Sequence, residues 1–208
     1  MKPCPVIKKI ALALVFAVLG TVGVGLLLPR SWSVERSIVI DRPASQIYPL
    51  LFDLRRWQEW TVWTKAMDPL VRHSYEGPQD GVGAKMIWLG PKLGRGRIEI
   101  TAADATTGIE LDEALESDLV NAHASLKFAA EGERTRVTWR DEGTLPLGAG
   151  VFLGTMEETL GGHLDASLKK LKATVEALPA PIKPPPVLDA GVTSPGLSEP
   201  VEDGGTTN

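Results

Sequence analysis

The chain has 208 residues, 43% of them hydrophobic, with 22 basic and 26 acidic side chains and a net charge of −4. That length accommodates one ordinary domain plus short extras. Residues 31–178 carry 17 Lys and Arg against 22 Asp and Glu, which excludes the basic face that nucleic-acid binding needs and argues against tight adhesion to anionic headgroups.

Ile10–Leu28 is a run of 19 residues without a charge. As a helix it would span about 28 Å, close to the hydrocarbon thickness of a bilayer. It is longer than a signal-peptide core and ends in Leu26-Leu27-Leu28-Pro29-Arg30, which offers no small-x-small cleavage site. Residues 1–30 therefore read as one uncleaved transmembrane anchor. Lys2, Lys8 and Lys9 before the span put the N-terminus in the cytoplasm. The domain is then expected on the periplasmic, extracytoplasmic side of a bacterial inner membrane, single-pass. Cys4 is the only cysteine, so no intrachain disulfide forms. It precedes the apolar run, and an unmodified thiol is the simplest reading.

Residues 31–178 form the globular part. Ser37–Ile40 is short and β-branched, as a strand should be. Asp41-Arg42-Pro43 ends it, because proline donates no amide hydrogen and restricts the residue before it. Ala44–Phe52 has helical spacing, with Pro49 predicting a short or kinked helix. Trp57, Trp60 and Trp63 follow at three-residue intervals. Asp68–Gly83 reads mostly as turns.

Strands then recur: Lys85–Leu89; Gly94–Ala103, with Ile98, Ile100 and Ala102 on one face; Ile109–Glu116; His123–Ala130; and Thr135–Glu142, with Val137 and Trp139 inward. Such alternation predicts an antiparallel sheet with one covered face and one wet face. Leu153, Met156, Leu160, Leu164, Leu168, Leu171, Val175 and Leu178 recur at spacings of three and four, the stripe of a long amphipathic helix. Gly161-Gly162 weakens that helix by about 1 kcal/mol per glycine, which close approach to the sheet or to a ligand would offset. Residues 179–208 hold seven prolines, four acids and one lysine and read as a disordered tail.

Four segments, in this order, resemble the polyketide cyclase/dehydrase-like branch of the SRPBCC superfamily, the START-like helix-grip domains. They are Ser37–Ala44, Trp57–Trp63, Tyr75-Glu76-Gly77-Pro78 with Gly81–Ala84, and Thr135–Trp139. Met156, Gly161, Leu164 and Leu168 resemble that family's last helix. The resemblance covers roughly residues 32–177. It implies an α+β fold in which a curved antiparallel sheet grips a long C-terminal helix, here preceded by one transmembrane helix. It also implies a ligand cavity, but no catalytic motif that carries over residue by residue.

Three charges break the strand alternation and share parity with inward residues: Arg36, Glu113 and Asp141. If their faces line a cavity, a buried carboxylate would have a raised pKa and could act as acid or base. Such a carboxylate could instead pair with Arg36 as a structural ion pair, and the competing reading places all three at strand ends, in water. His73, His123 and His163 lack metal-ligand spacing and read as surface histidines, so no metal is expected. Gly90–Gly96 lacks a phosphate-loop pattern, no Gly-x-Ser-x-Gly elbow occurs, and no cofactor is implied.

Three functions follow as expectations. The first is a binding domain for a hydrophobic small molecule or lipid, tethered by residues 10–28, with Trp60, Trp63, Leu111, Glu113, Leu126, Trp139, Met156 and Leu160 as the ligand-binding set. Plain core packing competes for the tryptophans. The second is a cyclase-like enzyme using Glu113 or Asp141 as general base and Arg36 as electrostatic support. The third is a scaffold acting through the Pro-rich tail.

Overall fold

The structure, a computed structural model, describes residues 27–116 and 119–179, together with residues 9, 10, 12–16, 18, 20 and 23. The expected anchor thus lies partly outside the described residues, among which no helix is long and apolar enough to cross a membrane. The tail lies outside them except for Pro179.

Seven strands form one antiparallel sheet in the order β1-β7-β6-β5-β4-β3-β2. They are β1 (Ser31–Ile40), β2 (Arg72–Glu76), β3 (Lys85–Gly90), β4 (Gly94–Asp104), β5 (Gly108–Leu115), β6 (Val120–Glu131) and β7 (Arg134–Thr144). Between β1 and β2 come helix α1 (Ala44–Leu51), a 3-10 turn (Leu54–Arg56) and helix α2 (Trp57–Trp60). A second 3-10 turn (Ala149–Phe152) leads into the long helix α3 (Leu153–Glu176). The helix-grip arrangement expected from the sequence is present.

The strands differ from expectation most in three places. β1 begins six residues earlier, at Ser31, because Trp32 and Val34 continue the inward alternation. β2 replaces part of the expected turn region. It is an edge strand with no buried residue, so its sequence shows no alternating hydrophobicity. In β4 the pairing slips between Ile100 and Ala102, and this bulge makes Ala103, not Ala102, the residue packed against the core. Pro49 sits inside α1 without ending it.

The two ends of the sheet are built differently. At the far end of β1, the Asp41-Arg42-Pro43 break holds the C-terminus of α3. Arg42 Nη2 donates to the Glu176 and Leu178 carbonyls at 2.8 and 3.1 Å, and the Glu176 carboxylate accepts from Asp41 N at 2.8 Å. Orphan carbonyls of the last helical turn thus find partners. Leu164, Leu168, Leu171 and Val175 are fully packed here. At the other end, Leu153, Met156 and Leu160 of the same stripe are only half-buried. The helix outruns its core.

Gly161 explains half of the glycine pair. A side chain there would overlap the Arg36 guanidinium, which crosses from β1 to donate to Asp165 Oδ2 at 3.0 Å. Gly162 faces open space. Gly143 on β7 meets less yielding neighbours: a Cβ would overlap the Trp32 ring and lie 2.7 Å from the Asn121 carbonyl oxygen. Gly143→Ala is therefore expected to destabilise the fold by about 1–3 kcal/mol through overpacking. Gly162→Ala is expected to stabilise it by up to about 1 kcal/mol through helix propensity. Urea denaturation of both variants checks the pair, and equal effects would contradict it.

Candidate functional site

The unfilled space beneath the first half of α3 is a cavity of about 640 Å³. Its floor is aromatic. Trp139 of β7 lies within 5.6–5.9 Å, centroid to centroid, of Trp57, Trp60 and Trp63. The Trp57 and Trp60 indoles donate to the carbonyls of Leu51 and Leu50 at 2.8 and 2.9 Å, capping the last turn of α1 while fixing their rings. Trp139 is 1% exposed, and its Nε1 has no hydrogen-bond partner among the described residues. The helix contributes Phe152 just ahead of α3, then Thr155, Met156, Thr159, Leu160 and His163. The sheet contributes Met86, Trp88, Ile98 and Leu115.

Two carboxylates stand on the inner sheet wall among mostly apolar side chains, Glu113 on β5 and Asp141 on β7, with Glu116 farther out. Strand β6 lies between them, and its inward residues there are the small Ala122 and Ala124, paired in register with Glu113 and Asp141 respectively. Asp141 is 4% exposed. Its Oδ1 accepts a 2.7 Å hydrogen bond from Trp32 Nε1, and Trp32 can lie where it does because residue 143 is glycine. Burial raises the Asp141 pKa, and the Trp32 bond only partly opposes that. Glu113 makes no hydrogen bond or ion pair among the described residues. Burial, together with the neighbouring Asp141 charge, pushes its pKa up to about 8. The pair therefore holds at least one proton at neutral pH, and can give or take it at a cavity wall.

The expected site residues divide. Trp63, Glu113, Trp139, Met156, Leu160 and Asp141 line the cavity. Trp60, Leu111 and Leu126 do not: they are fully buried in the packed core beneath it. Arg36 does not reach the cavity either. Although it sits at an inward position, its side chain pairs with Asp165 on α3 and does not act on either carboxylate. The surface assignment of the histidines holds for His123, which meets Asp112 at 3.0 Å on the wet face. It fails for His73 and His163, which line the cavity. The His163 ring stands edge-on to Trp63 at 5.9 Å. Burial, with some help from Lys65, lowers the His73 pKa. Sequence reading missed Trp32 and Trp57 as wall residues. Carrying the β1 alternation back from Val34 would have found Trp32. Among the described residues no group of histidine, cysteine and acidic side chains can hold a metal ion.

Residues 31–176 match the family model described as polyketide cyclase/dehydrase and lipid transport. No curated protein matches the chain in sequence. Among solved structures, a hypothetical protein of Helicobacter pylori is 9% identical with a TM-score of 0.54, over 69% of this chain and 88% of that one. Norcoclaurine synthase from Thalictrum flavum, in complex with dopamine and hydroxybenzaldehyde, is 13% identical with a TM-score of 0.53, over 76% and 94%. A Thermus thermophilus protein is 18% identical with a TM-score of 0.52, over 70% and 98%. At such identities these likenesses establish the fold alone.

The raised carboxyl pKa has a measurable consequence. Between the ordinary Glu value of 4.5 and about 8, folded Glu113 keeps its proton while the unfolded chain has lost it. Unfolding then releases a proton, so stability falls as pH rises through this window. Asp141, shifted the same way, adds to the fall, whereas His73, shifted down, opposes it around and below pH 6.5. Wild-type stability is expected to decline from about pH 5 to about pH 9. Glu113→Gln should flatten the decline and be the more stable protein at about pH 9, by on the order of a few kcal/mol. Denaturant titrations across that range check it; an unchanged slope in the variant would show Glu113 to be solvated.

Proposed function

The chain belongs to the polyketide cyclase/dehydrase and lipid-transport family, and from that premise we propose that it is a membrane-tethered domain that holds a hydrophobic small molecule or lipid between its sheet and the first half of α3. The observation that carries this reading is the cavity itself. Its volume of about 640 Å³ falls within the range of small-molecule sites, and such sites share its apolar and aromatic walls with few polar groups. The norcoclaurine synthase structure, with two aromatic molecules bound, is consistent with this use of the fold. In this proposal residues 10–28 supply the tether and the domain lies outside the cytoplasm. The exposed apolar side chains of that segment, Leu12, Leu14 and Phe16 among them, suit a bilayer.

A second reading has its own observation. Glu113, with a pKa of about 8, is poised beside Asp141 on the cavity wall, as a general acid or base would be. In this enzyme reading Asp141 tunes Glu113, and Arg36 has no part. No observation favours the scaffold reading, since Pro184–Pro186 fall outside the described residues.

Native mass spectrometry of the full chain, extracted from membranes, separates these readings. A copurifying apolar ligand, released unchanged, supports binding; a ligand that emerges chemically altered, and does so only with Glu113 intact, supports catalysis. Met156→Trp and Leu160→Trp, each filling the cavity, are expected to weaken ligand retention by about tenfold or more, the loss of roughly 1.4 kcal/mol. A protein that carries nothing, and whose probe binding ignores both substitutions, would sink both readings.

A further inference from the structure

The open end of the cavity and the end of the sheet nearest the N-terminal apolar segment are the same end. The chain leaves Leu28 and reaches β1 at Ser31 through Pro29 and Arg30 alone. Strand direction in the antiparallel sheet then fixes which loops share that end: the residues before β2, the β3–β4 tip, the β5–β6 tip and the stretch from β7 to α3. The cavity's outer residues come from those same loops: Lys92 and Leu93, Glu116, Leu145 and Phe152.

The exposed large apolar side chains gather there as well. Phe152 is 67% exposed, Leu147 70% and Leu119 70%, with Leu70, Leu89 and Val151 also exposed. Among the described residues beyond position 28, only Val82, at the opposite end, joins that class. So one-sided a distribution marks an interaction surface. Arg72, Lys92 and Arg95 are exposed among these residues, long side chains that can snorkel toward headgroups, with Glu116 as an acid beside them.

We propose that this rim docks on the lipid bilayer, so that the cavity opens directly onto the membrane. The proposal rests on the reading of residues 10–28 as the tether. A bilayer, rather than a protein, is the occupant because of how the tether leaves the domain. Arg30 O accepts from Leu145 N at 2.9 Å, and Arg30 Nη1 donates to Leu145 O at 3.1 Å. Gly150 lies so close to the Pro29 carbonyl that a Cβ would sit 2.7 Å away. The segment is thus fixed to the loop that carries Leu147, Val151 and Phe152. A tether held in that way brings the apolar loop to the interface without a hinge between them.

The test uses the full chain in a Cys4→Ser background, reconstituted into phosphatidylcholine–phosphatidylglycerol vesicles. Leu147→Cys, Phe152→Cys and, as the distal control, Val82→Cys each carry an environment-sensitive fluorophore. A nitroxide-bearing lipid should quench positions 147 and 152 at least about twofold more than position 82, as expected of side chains buried at the headgroup boundary. Quenching at 147 and 152 no greater than at 82, in protein that stays with the vesicles after an alkaline wash, overturns the proposal and leaves the tether standing. Shielding of 147 and 152 from an aqueous quencher without quenching by the lipid probe shows a protein covering the face, and overturns it too. Release of the chain by the alkaline wash removes the tether reading and the proposal together.

Discussion

Trp139 is the side chain on which the two halves of this molecule depend. Beneath it lies a close-packed core. Above it lies space. Its neighbours Trp57 and Trp60 are locked by hydrogen bonds to the last carbonyls of α1, so the ring cluster cannot slide upward to fill the cavity. Interiors ordinarily reach the density of organic crystals, and the lower half of α3 does so through Leu164, Leu168, Leu171 and Val175. The upper half does not, although the helix runs on for 24 residues, about 36 Å. The tryptophan floor is what keeps the second half of the sheet face from being core.

That unfilled half carries a further cost. Glu113 and Asp141 share the inner cavity wall with β6 alanines between them, and Glu113 lacks a protein partner among the described residues. A sequence optimised for stability alone would place leucine at 113, beside Ile109 and Leu111. The acids, a Trp139 Nε1 without a hydrogen-bond partner among the described residues and the open space all fall in one place. Departures from good packing that coincide in this way are what a functional site looks like from the standpoint of stability.

Most of the fold was legible because alternation reports burial directly. It failed at β2, where an edge strand buries no face, and past Ile100, where a bulge resets parity. The site was legible only in part, for a physical reason. Parity tells which residues point inward but not whether a helix will cover them. Leu111 and Leu126 share the inward face with Glu113, yet lie under packed structure. Trp60 and Trp63 share a spacing, but α2 stops at Trp60, leaving one ring in the core and the other on the wall. Arg36 broke parity just as the acids did. Its answer was a partner on a different element, Asp165, admitted by Gly161, and no local pattern encodes that.

If residues 10–28 act as the proposed tether, their short connection to β1 limits what the domain can do with a ligand. Two residues, Pro29 and Arg30, extend to about 7 Å at most, and both are held against the loop ahead of α3. A carrier that shuttles between two membranes needs a long flexible linker, whose reach grows with the square root of its length. Under the proposed tethering, a domain joined in this way would have almost no reach, and the membrane it met would be its own. In that proposal the cavity would be suited to drawing a molecule out of the same bilayer, holding it, or presenting it to chemistry at the surface. The Glu113 and Asp141 carboxyls, both with raised pKa values, stand on the wall that such a molecule would touch.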